Sequence, residues 1–256
     1  MDEHVFYIVD VFAEERYTGN QLAVFLNGHL YSDAEMQKLA REMNYSETTF
    51  LFPRESAGNT FKVRIFTPAS EVPFAGHPIL GTAYIIVKEI LKSNVPEVVL
   101  DLKAGKIPVS ITYRPAGAIE SLRMKQIEPR FGPVIDAAAA AAMLSVSGAE
   151  IDERFPVQEV STGLPFLIVP LKTLSGVRAV RVNLDKFARL WNKIEARAVL
   201  VFCPETYEKT HDLNVRVFAH HLGVPEDPAT GSANGCLCGI PGEIQLFWVR
   251  TDRSRG

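Results

Sequence analysis

Cysteine is scarce in this chain: Cys203, Cys236 and Cys238 are the only three in 256 residues. An odd, sparse set makes no disulfide framework, so the sequence predicts a reduced, cytoplasmic protein. Cys236-Leu-Cys238 has one intervening residue and no second pair, a poor spacing for structural zinc. Two packed thiols are expected instead, and no metal. No uncharged apolar run approaches the roughly 18 residues of a membrane-span candidate, so no membrane partner is expected. There is no Lys/Arg cluster, and 27 basic against 30 acidic residues leave a formal net charge of −3, which argues against nucleic acid as a partner. The opening Met-Asp-Glu-His-Val-Phe-Tyr lacks the basic stretch that precedes a signal region, so no secretory leader is expected.

What remains is a globular composition, 47% hydrophobic and 22% charged, at a length that suits one large domain or two small ones. β-Branched and aromatic runs predict strands at 5–12, 22–26, 48–52, 61–67, 98–102, 107–113, 121–126, 166–170, 177–182, 198–202 and 215–219. Ser32-Asp33-Ala34-Glu35 reads as a capping box, followed by Met36, Leu39, Ala40 and Met43 on one face of a helix ending near Asn44. Asp136 opens an Ala-rich helix through Leu144, and 184–191 reads as a short helix. Strands dominate, without clean βαβ alternation.

The chain also repeats itself. "VRIFTPASEVP" at 63–73 and "VRVFAHHLGVP" at 215–225 share Val-Arg-(Ile/Val)-Phe and a Val-Pro at the same offset. Gly76-His77 follows the first and Gly231-Ser232 the second, and each pair opens a nearly all-apolar helical segment. Thr18-Gly19 and Thr162-Gly163, each before a strand, echo more weakly. Duplication is the natural reading. A helix apolar on every side must be buried on every side. The predicted fold is therefore α+β, with two pseudo-symmetric halves at 1–115 and 116–256, each a small barrel-like sheet around a central apolar helix. The two helix starts carry unpaired N–H groups and a positive dipole end, a socket for a carboxylate. Glycine there permits close approach, and Pro78 suits the first helical position.

"MNYSETTF" (43–50), "FTPASEVPFAGHPILG" (66–81) and "EDPATGSANG" (226–235) resemble the signatures of the phenazine-biosynthesis PhzF-like family, from the first strand to about Gly239. The resemblance implies the two-barrel diaminopimelate epimerase fold, a homodimer, and an isomerase that works without metal or organic cofactor. Its type member isomerises a dihydro-hydroxyanthranilate by moving a proton between carbons. The family's acid/base glutamate carries over to Glu47, its glycine-histidine turn to Gly76 and His77, and its aspartate and serine to Asp227 and Ser232. After Gly239 the chain departs from the family pattern into a short polar ending at 240–256, which reads as a truncated C-terminus.

Each site residue also has a plainer explanation. Glu47 taken alone reads first as an exposed strand-edge glutamate; the resemblance makes it a general acid/base whose pKa rises with desolvation. His77 either closes its turn as an N-cap or stays neutral at the helix start and relays a proton. Asp227, before Pro228, is an Asx turn residue or binds a substrate amine or hydroxyl, or orients another group. Ser232 caps its helix, and with Gly76 and Gly231 it can also hold a substrate carboxylate. His211, His220 and His221 make no convincing metal set.

The epimerases and racemases of this fold place a cysteine at each glycine turn, where this chain has His77 and Ser232. Cys236 is expected to face the core. Arg197 takes the place that matches Glu47 in the second half. One base suits a proton shift on a small carboxylated, possibly cyclic metabolite better than stereoinversion. An epimerase or racemase of an amino acid, and a non-catalytic ligand-binding or interaction module, stand as alternatives.

Overall fold

The computed structural model describes residues 4–13, 15, 17–54 and 58–239. Contacts gather the chain into two units, one of residues 1–127 with 221–232 and one of 128–220 with 233–256.

The first unit contains β1 (Phe6–Val11), β2 (Asn20–Phe25), α1 (Asp33–Met43), β3 (Glu47–Leu51), β4 (Thr60–Phe66), β5 (Glu71–Val72), α2 (Gly76–Ile85), β6 (Glu97–Leu102), β7 (Gly105–Tyr113) and β8 (Ile119–Met124). Its sheet runs β1-β2-β3-β4-β6-β7-β8, with β5 paired to β4. Both halves of the predicted capping box form: Ser32 accepts from the Glu35 N–H, and Glu35 reaches back to the Ser32 N–H. Asn44 ends α1 in the left-handed conformation, which turns the chain into β3. Met36 and Ala40 bury the inner face of α1 against Phe25, Phe50 and Phe66.

The helix α2 has no polar face to show water. Eight of its ten residues are buried, and it packs against β1, β2, β3, β6 and β8, so the sheet curls around it. Its buried hydroxyl, Thr82, meets Thr49 Oγ1 at 2.9 Å. Burying such a helix without that pairing would leave an unsatisfied polar atom in the core.

The second unit contains β9 (Arg130–Val134), α3 (Ala137–Leu144), β10 (Gln158–Ser161), β11 (Pro165–Pro170), α4 (Leu174–Ala179), α5 (Leu184–Ala188), β12 (Ala198–Cys203) and β13 (Asn214–Ala219). The strands run β13-β12-β11-β10-β9. Leu167, Val169, Val199 and Val201 form a core with Leu144, Val177 and Phe187 from the helices. The chain then forms β14 (Val224–Asp227) and α6 (Gly231–Cys238).

The repeat read in the sequence is present as topology. β1 and β2 are antiparallel, β2 and β3 are parallel across α1, and β3 and β4 are antiparallel. β10 to β13 repeat that series, with α4 and α5 in the parallel crossover. The two Val-Arg-(Ile/Val)-Phe segments occupy β4 and β13, and their arginines do parallel work. Arg64 binds Asp33 at the start of α1 at 2.6 Å, and Arg216 donates to the Val177 carbonyl of α4 at 2.8 Å. Gly19 and Gly163 both hold positive φ, 71° and 118°, just before β2 and β11.

Four readings need correction. The stretch 177–182 is not a strand: Thr173 caps α4 by accepting from the Gly176 N–H, and Val177 and Val180 are buried three residues apart, a helical spacing. The β-branched residues there gave the strand signal. Arg197 is not the counterpart of Glu47. Thr48 pairs with Phe66 and Val199 with Phe218, so the register puts Ala198 in that place, again without a carboxylate. Pro78 is the third residue of α2, which begins at Gly76, rather than its first. The short strands β5, β9, β10 and β14 carry too few β-branched residues to stand out. The polar ending at 240–256 lies outside the described residues.

Candidate active site

Glu47 is the first residue of β3, placed by the left-handed turn at Asn44 and paired with Leu22 of parallel β2. Its carboxyl faces inward, with the side chain 15% exposed. Glu47 Oε2 lies 3.6 Å from His77 Nε2, and neither atom has a hydrogen-bond partner. His77 is the second residue of α2 and is 2% exposed. Sequence reasoning treated these two as separate elements of a site; they form a facing pair.

The environment sets opposite tendencies on the two groups. Burial pushes the Glu47 carboxyl well above the usual glutamate value of 4.5, and the nearby charge of Asp227 adds to the rise. Burial lowers His77 to about 4, although the Asp227 charge and a hydrogen bond to the Gln21 backbone oppose that shift. Because Nε2 has no hydrogen-bond partner, the bond to Gln21 is made by Nδ1–H. Neutral His77 thus turns a bare Nε2 lone pair toward a carboxyl that favours its protonated form.

Asp227 closes β14 and is 9% exposed. Its Oδ1 accepts from Asn20 Nδ2 at 2.8 Å and from Ser46 Oγ at 2.6 Å, and its Oδ2 accepts from Thr230 Oγ1. Both oxygens are engaged by the protein, so the residue works as a hub that ties β2, the entry to β3 and the start of α6 together. Asn20, 1% exposed, also donates to the Ala229 carbonyl at 3.0 Å. Its two N–H groups are therefore committed, and its 3.4 Å approach to His77 Nδ1 is a packing contact. The sequence reading missed Asn20 and Ser46. Ser46 immediately precedes Glu47, and Asn20 follows the Thr18-Gly19 turn that was noticed only as a repeat.

The two glycine turns meet. A Cβ added to Gly76 would lie 2.8 Å from the Ser232 nitrogen and 3.1 Å from the Gly231 carbonyl carbon. Only a residue without a side chain allows that backbone-to-backbone approach. No side chain caps α2, whose N-cap is Ala75. Ser232 is buried at 3%. A Cβ on Gly231 would meet the Phe12 ring at 3.1 Å, and Phe12 itself is held at φ 58°. Glu47, His77, Asp227, Gly76, Gly231 and Ser232 thus all fall within the first unit.

Cys236 offers no second base. It is fully buried, burial pushes its thiol pKa up, and its sulfur lies 3.5 Å from Thr162 Oγ1 and 3.9 Å from the Leu164 carbonyl. Cys238 is exposed, so the expected pair of packed thiols reduces to one. Among the described residues, no group of three or more His, Cys, Asp or Glu is placed to hold a metal ion, and no helix is long and apolar enough to cross a membrane.

Comparison with known proteins bears on the family and the fold. The model of the phenazine biosynthesis-like protein family matches residues 9–241. An uncharacterized isomerase of Clostridium acetobutylicum is 32% identical over 90% of this chain and 76% of its own length. The trans-2,3-dihydro-3-hydroxyanthranilate isomerase of Pseudomonas aeruginosa is 32% identical over 91% of this chain and 78% of its own. A solved PhzF-family phenazine biosynthesis protein of Bacillus anthracis superposes with a TM-score of 0.80 at 26% identity, covering 94% of this chain and 82% of that one. A probable proline racemase from Agrobacterium radiobacter shares the fold, with a TM-score of 0.60 at 12% identity over 98% of this chain and 79% of its own.

Proposed function

We propose, from the premise that this chain belongs to the phenazine biosynthesis-like family and is an isomerase, that it moves a proton between two carbons of a small, unsaturated carboxylate. Glu47 is the general acid/base. The observation that carries this reading is the buried Glu47 carboxyl, with its raised pKa, facing the bare Nε2 of a neutral His77. A carboxylate that binds its proton tightly is a strong enough base to take one from an activated carbon, and a carboxylic acid in the same place can give it back. In the first step the C–H bond breaks, the proton goes to Glu47 and the electron pair enters the adjacent π system. In the second, the far end of that system takes the proton from Glu47.

His77 assists by accepting a hydrogen bond at Nε2 from the protonated form of the carboxyl. Asp227 is a positioning residue: it anchors Ser46 beside Glu47, and its charge strengthens Glu47 as a base. Gly76, Gly231 and Ser232 hold the substrate carboxylate at the paired helix starts. The burial of Cys236, whose thiol pKa is pushed up, leaves it no part as a thiolate base and favours a proton shift over stereoinversion. The homodimer and the lack of a resident cofactor that the family resemblance implies belong to the same reading.

The substrate named for the Pseudomonas relative, trans-2,3-dihydro-3-hydroxyanthranilate, is the first candidate. The test is turnover of that compound, followed by nuclear magnetic resonance, for the wild type and Glu47→Gln. The reading expects isomerisation by the wild type and none by the variant. Equal turnover by both would remove Glu47 from the mechanism.

A further inference from the structure

Buried polar side-chain atoms without a hydrogen-bond partner are few among the described residues. Glu47 Oε2 and His77 Nε2 are two of them, and Gln126 Oε1 is another. Each such atom in a native interior calls for an explanation, and a bound ligand is one. The first two belong to the proton-transfer pair. The third is not used by anything described above.

Gln126 lies just past β8, and its Nε2 donates to the Gly231 carbonyl at 3.1 Å. That bond fixes the amide: the NH₂ faces the carbonyl, so the oxygen faces away, and the two ends cannot be exchanged without setting oxygen against oxygen. Gly231 in turn packs on Gly76, the residue before His77. Gln126 therefore stands one residue from the point where the two glycine turns meet, and its Oε1, buried and unpartnered, can only accept.

We propose that Gln126 Oε1 receives a hydrogen bond from the substrate, so that the site selects unsaturated carboxylates carrying an amine or hydroxyl over those that carry neither. This rests on the reading of the glycine turns as the carboxylate socket. The Gln126 amide adjoins that socket through Gly231, whose carbonyl it holds. The glutamine then acts as a specificity residue and takes no part in proton transfer. The preference follows from the bond gained: a donor-bearing ligand satisfies an oxygen that is already buried and unpaired in the free protein, and a ligand without a donor leaves it so.

The test is calorimetric binding of benzoate, anthranilate and 3-hydroxybenzoate, which carry the carboxylate with no donor, an ortho amine and a meta hydroxyl. The wild type is expected to prefer at least one donor-bearing ligand over benzoate by about tenfold. In Gln126→Leu, and in the closer-shaped Gln126→Met should the first fail to fold, that preference disappears while benzoate affinity is unchanged. A preference that survives both variants overturns the proposal, as does a wild type that binds the three ligands equally or binds none. The same preference is expected in Glu47→Gln. If it is present there while the wild type turns nothing over, Gln126 keeps its role and the proton-shift reading falls.

Discussion

Neutral His77 presents Nε2 to Glu47 Oε2 across 3.6 Å, with both atoms buried and otherwise unpaired. The separation is too long for a good hydrogen bond. A small movement of either side chain, or a ligand group between them, completes both. The pair is therefore ready for a proton yet holds none in a fixed bond, the condition a reversible acid/base needs.

Replacing Glu47 with glutamine is expected to lower turnover by about 10²–10⁴-fold while the fold survives. The same substitution has a stability signature. The Glu47 pKa is raised in the folded state, so the group's contribution is fully present below the unfolded value of 4.5 and is lost as pH rises through the folded value. Glu47→Gln should thus gain stability relative to the wild type as pH increases. Melting temperatures at about pH 4 and about pH 8 check the sign; a variant-minus-wild-type difference that falls with rising pH contradicts it.

His77 works in the other direction. Its folded pKa of about 4 lies below the unfolded 6.5, so its contribution is present above 6.5 and lost as pH falls toward 4. Across that window the wild type should lose about 3 kcal/mol that His77→Gln does not. Denaturant midpoints of the two proteins across the window are the measurement.

Gly76→Ala drives a methyl to within 2.8 Å of the Ser232 nitrogen, a backbone atom that cannot rotate away. Its expected cost is about 1–3 kcal/mol, with loss of carboxylate binding. Gly148→Ala, whose Cβ would meet nothing within 4 Å, is the control and should leave both unchanged.

Asn20→Ala removes one donor from Asp227 and one from the Ala229 carbonyl, both buried, with an expected cost of about 1–3 kcal/mol. Asn20→Asp should be worse, because it sets a second carboxylate against Asp227. It should also move the pH dependence of turnover, since Asp227 is one of the two influences that raise Glu47. A pH–rate profile identical to wild type would show that Asn20 only holds the fold.

Much of this was legible in the residues. The capping box before α1, the all-apolar α2 and the twice-used Val-Arg-(Ile/Val)-Phe each encode a local rule that tertiary structure did not override. The meeting of Gly76 with Gly231 was legible too, because glycine at two matched turns signals close approach. The hub was not. Asn20, Ser46 and Asp227 lie up to 207 positions apart, and no periodicity links residues that meet only through side-chain hydrogen bonds. The helix at Leu174–Ala179 was hidden for another reason. Val177, Val180 and Val182 favour strand, and the Thr173 cap that decides the matter is a single hydrogen bond.

The most direct measurement of the central claim is the position of deuterium in product formed in D₂O from trans-2,3-dihydro-3-hydroxyanthranilate. Transfer by Glu47 predicts that the carbon gaining a proton receives the substrate's own hydrogen, with deuterium entering there alone and only to the extent that Glu47 exchanges with solvent before returning it, and no product from Glu47→Gln. Labelled product formed by Glu47→Gln at the wild-type rate would show that another group moves the proton.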